Sequence, residues 1–133
     1  MKIELKEISK SFGPVAANTK INLSVSSGEV LGLLGENGAG KTTLMNILTG
    51  LYQPDSGQIL IRDQETEFYN PRDAIENGIG MVHQHFMLVP VFSVSENVIL
   101  GNEPITNVNR INLKRAREEV LKISSKYNLD VDP

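Results

Sequence analysis

Gly35-Glu36-Asn37-Gly38-Ala39-Gly40-Lys41-Thr42-Thr43 has the form G-x-x-x-x-G-K-[ST], the pattern of a phosphate-binding loop. An apolar run, Glu29-Val30-Leu31-Gly32-Leu33-Leu34, precedes it, and from Lys41 to Leu51 the residues Leu44, Ile47, Leu48 and Leu51 recur at helical spacing. The run predicts a buried parallel strand and the spacing a helix, with Gly50 near the helix end. Between strand and helix, glycines let the backbone curl with its N–H groups inward. Consecutive amides then form a nest for a β-phosphate at the positive end of the helix dipole. A residue larger than Gly40 would crowd that phosphate. Lys41 is placed to neutralise the β- and γ-phosphates, Thr42 to put its hydroxyl on Mg²⁺, and Thr43 to reach the α-phosphate. The motif therefore predicts a nucleoside triphosphate held with Mg²⁺.

The composition narrows the class further. The chain has 133 residues, a formal net charge of −3 and no cysteine. No basic field exists to hold a polyanion, and Lys114, Arg115 and Arg117 are matched by Glu118 and Glu119, which reads as a solvated helix face; nucleic acid is not an expected partner. Disulfides and thiolate metal sites are excluded. The opening Met1-Lys2-Ile3-Glu4-Leu5-Lys6 alternates charged and apolar residues, unlike a signal peptide, and no apolar run is long enough to span a membrane.

Outward from the loop, Ile3, Leu5 and Glu7 alternate with Glu4, Lys6 and Ile8, and Ile21, Leu23 and Val25 alternate with Asn22 and Ser24. Two half-buried strands of an antiparallel layer are expected there. Pro54-Asp55-Ser56-Gly57 is a turn signal before a strand over Gln58-Ile59-Leu60-Ile61-Arg62. Asn70 and Pro71 open a short helix that ends near Gly78, and Ile79 to His83 returns as a strand. Asn112 caps a last helix, with Leu113, Ala116, Val120, Ile123 and Tyr127 as its apolar face. His83 and His85 have no carboxylate or thiol cluster near them in sequence, so a zinc site is not expected.

Together these residues resemble the nucleotide-binding subunit of ABC transporters over essentially the whole chain. Four features carry the resemblance. Lys10-Ser11-Phe12-Gly13 looks like the A-loop, which implies that Phe12 stacks on adenine. Gly28-Glu29-Val30 leading into the loop of Asn37, Gly38, Ala39, Gly40, Lys41, Thr42 and Thr43 matches the family's Walker A, and Pro54-Asp55-Ser56-Gly57 before a strand is typical there. Gly80-Met81-Val82-His83-Gln84 looks like the Q-loop, which implies that Gln84 reaches Mg²⁺ and the attacking water. The following His85-Phe86-Met87-Leu88-Val89-Pro90-Val91-Phe92-Ser93-Val94-Ser95-Glu96-Asn97 resembles importers of simple sugars and nucleosides. Its apolar residues read either as core or as the groove that receives a helix of the membrane permease.

The resemblance implies an α/β fold: a P-loop NTPase core with a partial, mostly parallel sheet, an antiparallel β layer and the start of a helical subdomain. Residues 1–84 would hold the layer, Walker A and Q-loop, and residues 85–133 the helical start. It implies an ATPase, with ATP and Mg²⁺ as cofactors and with Lys41 and Gln84 in catalysis. The permease and a second nucleotide-binding domain are the implied partners, at the cytoplasmic face of the membrane. The family's signature sequence, Walker B carboxylates and switch histidine are missing from the sequence, and Asp55-Ser56-Gly57-Gln58 precedes the Q-loop and does not replace the signature. An N-terminal portion of a longer ATPase that binds ATP without hydrolysing it is the expectation. A GTPase or small-molecule kinase shares the loop, but no Asn-Lys-x-Asp or later Asp-x-x-Gly is present. A nucleotide-binding module serving only as a scaffold and an ABC protein working outside transport complete the alternatives.

Overall fold

The computed structural model describes residues 1–83, 88–106 and 109–133, and the chain divides into two compact units, Met1–Val82 and His83–Pro133. In the first unit the strands β1 (Ile3–Phe12), β2 (Val15–Val25), β3 (Ser56–Ile61) and β4 (Gln64–Glu65) form one sheet in the order β2-β1-β3-β4. Every pairing in it is antiparallel. Helices α1 (Lys41–Leu48) and α2 (Pro71–Glu76) supply Leu44, Ile47 and Ala74 to a core that joins Leu5, Ile8, Ile59, Ile61, Phe68 and Ile79.

The alternation expected in the first strand breaks at Glu7. Leu5 pairs with Leu23 and Ile8 with Ile21, so the register slips between them, and Glu7 takes a φ of 53°. This bulge turns Glu7 outward and Ile8 fully inward, the reverse of a strict period of two. The Asn22 side chain completes the irregularity by accepting from the Glu7 amide at 3.0 Å. Gly57 of β3 faces the bulge with a φ of 99°, and a Cβ there would stand 2.6 Å from the Glu7 carbonyl. Close approach of the two backbones thus requires glycine at this position.

Two predicted strands do not form. Glu29–Leu34 and Ile79–His83 make no ladder, and Val30 and Leu34 are 97% and 93% exposed. A parallel strand is defined by hydrogen bonds to neighbours distant in sequence. The described strands pair only among themselves, leaving no neighbour for either run.

Local signals are obeyed closely. Helix α1 closes in a Schellman turn, with the Gly50 amide on the Ile47 carbonyl at 3.1 Å and the Leu51 amide on that of Asn46 at 2.8 Å; Leu51 lies outside the helix and is half-exposed. Asn70 and Asp73 form a reciprocal capping box on α2, with Pro71 in its first turn.

In the second unit, α3 (Val94–Ile99) and α4 (Leu113–Tyr127) bury Ile99, Ala116 and Val120. Ser93 and Glu96 cap α3 reciprocally, and the Asn112 side chain caps α4 by accepting from the Arg115 amide at 3.0 Å. The buried stripe of α4 is Ala116, Val120 and Ser124, whereas Leu113, Ile123 and Tyr127 of the expected face remain about half-exposed. Ser124 tolerates burial because its hydroxyl accepts the Val131 amide at 3.0 Å.

Ile8 is the test of the bulged register. Replacing it by alanine is expected to cost about 2–5 kcal/mol of unfolding free energy, while Glu7→Ala costs less than about 1 kcal/mol. Urea denaturation of the two variants measures both.

Candidate functional site

The loop ahead of α1 is built around the lack of a side chain at Gly40. Its φ is 79°, and a Cβ there would lie 2.1 Å from the Ala17 carbonyl and 2.8 Å from Nδ2 of Asn18. Gly40 can therefore press directly on β2, where the buried Asn18 donates from Nδ2 to the Gly40 carbonyl at 3.2 Å. That contact ties the start of α1 to the sheet. Alanine here combines a clash with an unfavourable φ.

Gly40 is also the N-cap of α1 and offers no capping side chain. The Leu44 amide is the first to find a helical acceptor, on Gly40, so the amides of the preceding turn keep their donor capacity. Lys41 folds back across the loop and donates from Nζ to the carbonyls of Gly35 at 2.7 Å and Glu36 at 2.6 Å. An ammonium group has three donors, and two are used on the loop itself. One remains, together with the positive charge, on the first residue of a helix whose start has no side-chain cap. A free donor, a positive charge and a helix start together favour negative charge nearby.

The other predicted residues fall into place unevenly. Asn37, Gly38 and Ala39 lie in the turn, closed by the Ala39 amide on the Glu36 carbonyl at 3.2 Å, and Gly38 has a φ of 85°. Thr42 is exposed and Thr43 half-buried in the first turn of α1. Phe12 ends β1, paired with Val15 across the hairpin and half-exposed. It shares a strand pair with the loop's support, since Lys10 of β1 lies opposite Asn18 of β2. Gln84, with His85, Phe86 and Met87, lies outside the described residues. Among the described residues no group of three or more His, Cys, Asp or Glu side chains could hold a metal ion.

Sequence reasoning missed two neighbours of Phe12. The Tyr52 ring meets the Phe12 ring at 5.3 Å between centroids and 70° between planes, and Lys10 Nζ stands 5.7 Å above the Phe12 ring. Asp55, read only as a turn residue, accepts from Lys10 Nζ and from the Ser11 amide, each at 2.7 Å. The Lys10 hydrogen bond, seconded by that amide, holds the Asp55 carboxyl below its ordinary value of 3.8. Tyr52 follows the Schellman turn of α1, and no local periodicity marks it as the partner of an aromatic 40 residues away.

The sequence comparisons fit this geometry. Residues 18–131 match the ABC transporter family. The chain belongs to that family. It is 53% identical over 131 residues to the guanosine import ATP-binding protein NupO of Bacillus subtilis, covering 98% of this chain and 26% of that protein. The nucleoside import ATP-binding protein NupA of Lactococcus lactis is 48% identical with the same coverage, and the ribose import ATP-binding protein RbsA of Caldanaerobacter subterraneus is 43% identical over 130 residues, 98% of this chain and 26% of that protein. The chain thus spans about a quarter of the length of these relatives. A nucleotide-free ATP-binding cassette from an ABC transporter superposes with a TM-score of 0.70 at 28% identity, over 86% of this chain and 44% of that one. The fold matches part of an ABC ATPase cassette, with the antiparallel layer and α1 in place.

Two outcomes test the site. Gly40→Ala is expected to lower the melting temperature and abolish nucleotide binding, measured by calorimetry on the same sample. Because the Asp55 pKa is depressed on folding, its stabilising contribution is present above the ordinary value of 3.8 and is lost as pH falls through the folded-state value. A carboxyl-carbon NMR titration should therefore place the Asp55 midpoint below 3.8, and Lys10→Gln should raise it.

Proposed function

We propose that this chain carries the ATP-holding part of an import ATPase. The observation that carries the reading is the Lys41 ammonium, fixed over a loop whose helix start has no side-chain cap. In this reading the amides of the first turn of α1 wrap the β-phosphate and the third Lys41 donor reaches the β- and γ-phosphates. Thr43 meets the α-phosphate, and Phe12 supplies the surface for adenine. Mg²⁺, arriving with ATP, would be held by Thr42 and Gln84 and would neutralise charge on the phosphate oxygens. Gln84 would also orient the attacking water.

The names of the relatives favour nucleoside or simple-sugar uptake as the coupled process. Residues 1–84 would be the nucleotide-binding core and residues 85–133 the start of a helical subdomain. Leu88, Val91 and Phe92 are exposed in a segment that Asn97 ties to α3, through its Oδ1 on the Val89 amide at 2.8 Å. Such an ordered apolar surface supports contact of this segment with permease subunits at the cytoplasmic face of the membrane. No described helix is long and apolar enough to cross the membrane itself. A second nucleotide-binding domain would complete the ATP site.

The sequence contains Walker A and a Q-loop glutamine but no Walker B carboxylate, so these 133 residues alone would bind ATP without turning it over. Calorimetry should show Mg-ATP binding that Lys41→Ala weakens on the order of tenfold to a hundredfold, since hydrogen bonds to charged groups contribute about 1.5–3 kcal/mol. Phe12→Ala should weaken it roughly tenfold, and phosphate release over hours should stay at background. Turnover that disappears in Lys41→Ala would refute the non-catalytic part of the proposal.

A further inference from the structure

Phe12 does not stand alone at the tip of its hairpin. The Tyr52 ring meets it in a T-shaped contact at 5.3 Å, and Lys10 Nζ lies 5.7 Å over its face. Neither neighbour is free to drift. The Tyr52 amide donates to the Asn46 carbonyl at 3.1 Å, so the tyrosine backbone is fastened to the end of α1. Lys10 is gripped by Asp55 at 2.7 Å, and Asp55 in turn is fixed to β1, because its amide donates to the Ser9 carbonyl at 2.8 Å and its carboxylate accepts the Ser11 amide. The Phe12 ring is therefore bracketed by groups anchored on two different elements, while 44% of the residue stays accessible. A side chain at a hairpin tip ordinarily samples several rotamers, and each must be given up when a flat ligand stacks on it.

We infer that Tyr52 is a positioning residue for the base of the bound nucleotide, holding the Phe12 ring in one rotamer so that its accessible surface is presented ready for stacking, with the Lys10–Asp55 pair as the second brace. The inference rests on the reading of Phe12 as the base platform. T-shaped aromatic pairs contribute enough to bias a rotamer strongly without burying the ring. Tyr52 need not touch the nucleotide for this. Its effect travels through Phe12 and should reach only ligands that carry a base.

Calorimetry with Mg-ATP and with Mg-tripolyphosphate, which shares the phosphates and lacks the base, tests this on the chain and its variants. Tyr52→Ala should weaken Mg-ATP about three- to tenfold and leave tripolyphosphate unchanged. Tyr52→Phe, which keeps the ring, should behave as the wild type. In a Phe12→Ala background the further change Tyr52→Ala should add nothing. Tyr52→Leu keeps apolar bulk without a ring and replaces the alanine variant if that one does not melt cooperatively. Equal weakening of both ligands would make Tyr52 a general stabiliser of the loop and overturn the inference, as would an undiminished effect without Phe12 or no effect at all. If Phe12→Ala leaves ATP binding intact, the base-platform reading fails and takes the inference with it; if Phe12 matters and Tyr52 does not, only the inference fails. A wild type that binds neither ligand refutes both.

Discussion

The close approach of Gly40 to β2 is the constraint on which the site depends. A carbonyl at Ala17 occupies the volume that any side chain would need, and the Asn18 amide holds the Gly40 carbonyl from the same strand. Through this contact an exposed loop inherits the rigidity of a sheet. The direction of α1, the exit of its first amides and the reach of Lys41 all follow from where Gly40 is pinned. Burying Asn18 is the cost, since its Oδ1 has no hydrogen-bond partner.

The sheet in turn is held by an irregularity. With β1 in the middle, between β2 and β3, a strict alternation would send Ile8 to the wrong face. The bulge at Glu7 restores it to the core beside Leu44 and Ile47 of α1. The same strand then delivers Lys10 to Asp55 and Phe12 to Tyr52 at its far end. Core packing and the surroundings of Phe12 are consequently set along one irregular strand, whose register against β2 slips again between Ile8 and Lys10 and between Lys10 and Ser11.

What could be read from the sequence follows the range of the forces involved. The shape of the loop ahead of α1 was legible because its geometry is written in adjacent residues, with glycines at positive φ where the backbone curls. Caps at Asn70 and Asn112 were legible for the same reason. The Ser93-x-x-Glu96 box that caps α3 is an equally local signal, written in residues three apart. Non-local features resisted. The runs at 29–34 and 79–83 have strand composition, but a parallel strand exists only beside its neighbours. Glu7 and Ile8 exchanged faces because a bulge depends on the partner strands, here Asn22 and Gly57. On α4 the apolar pattern was broader than the surface available to cover it, leaving Ile123 and Tyr127 in solvent. Tyr52 and Asp55 became visible only when tertiary contacts brought them to β1.

Lys41 is bonded to the carbonyls of Gly35 and Glu36. Four torsions of a long side chain are thereby frozen by the chain's own backbone, a loss of freedom of roughly 1.5–2 kcal/mol that is taken when the loop folds and not when an anion arrives. In the function proposed for it, the loop's affinity is therefore partly a property of its own rigidity. Loosening of the Gly35–Glu36 carbonyls would release the lysine to many rotamers.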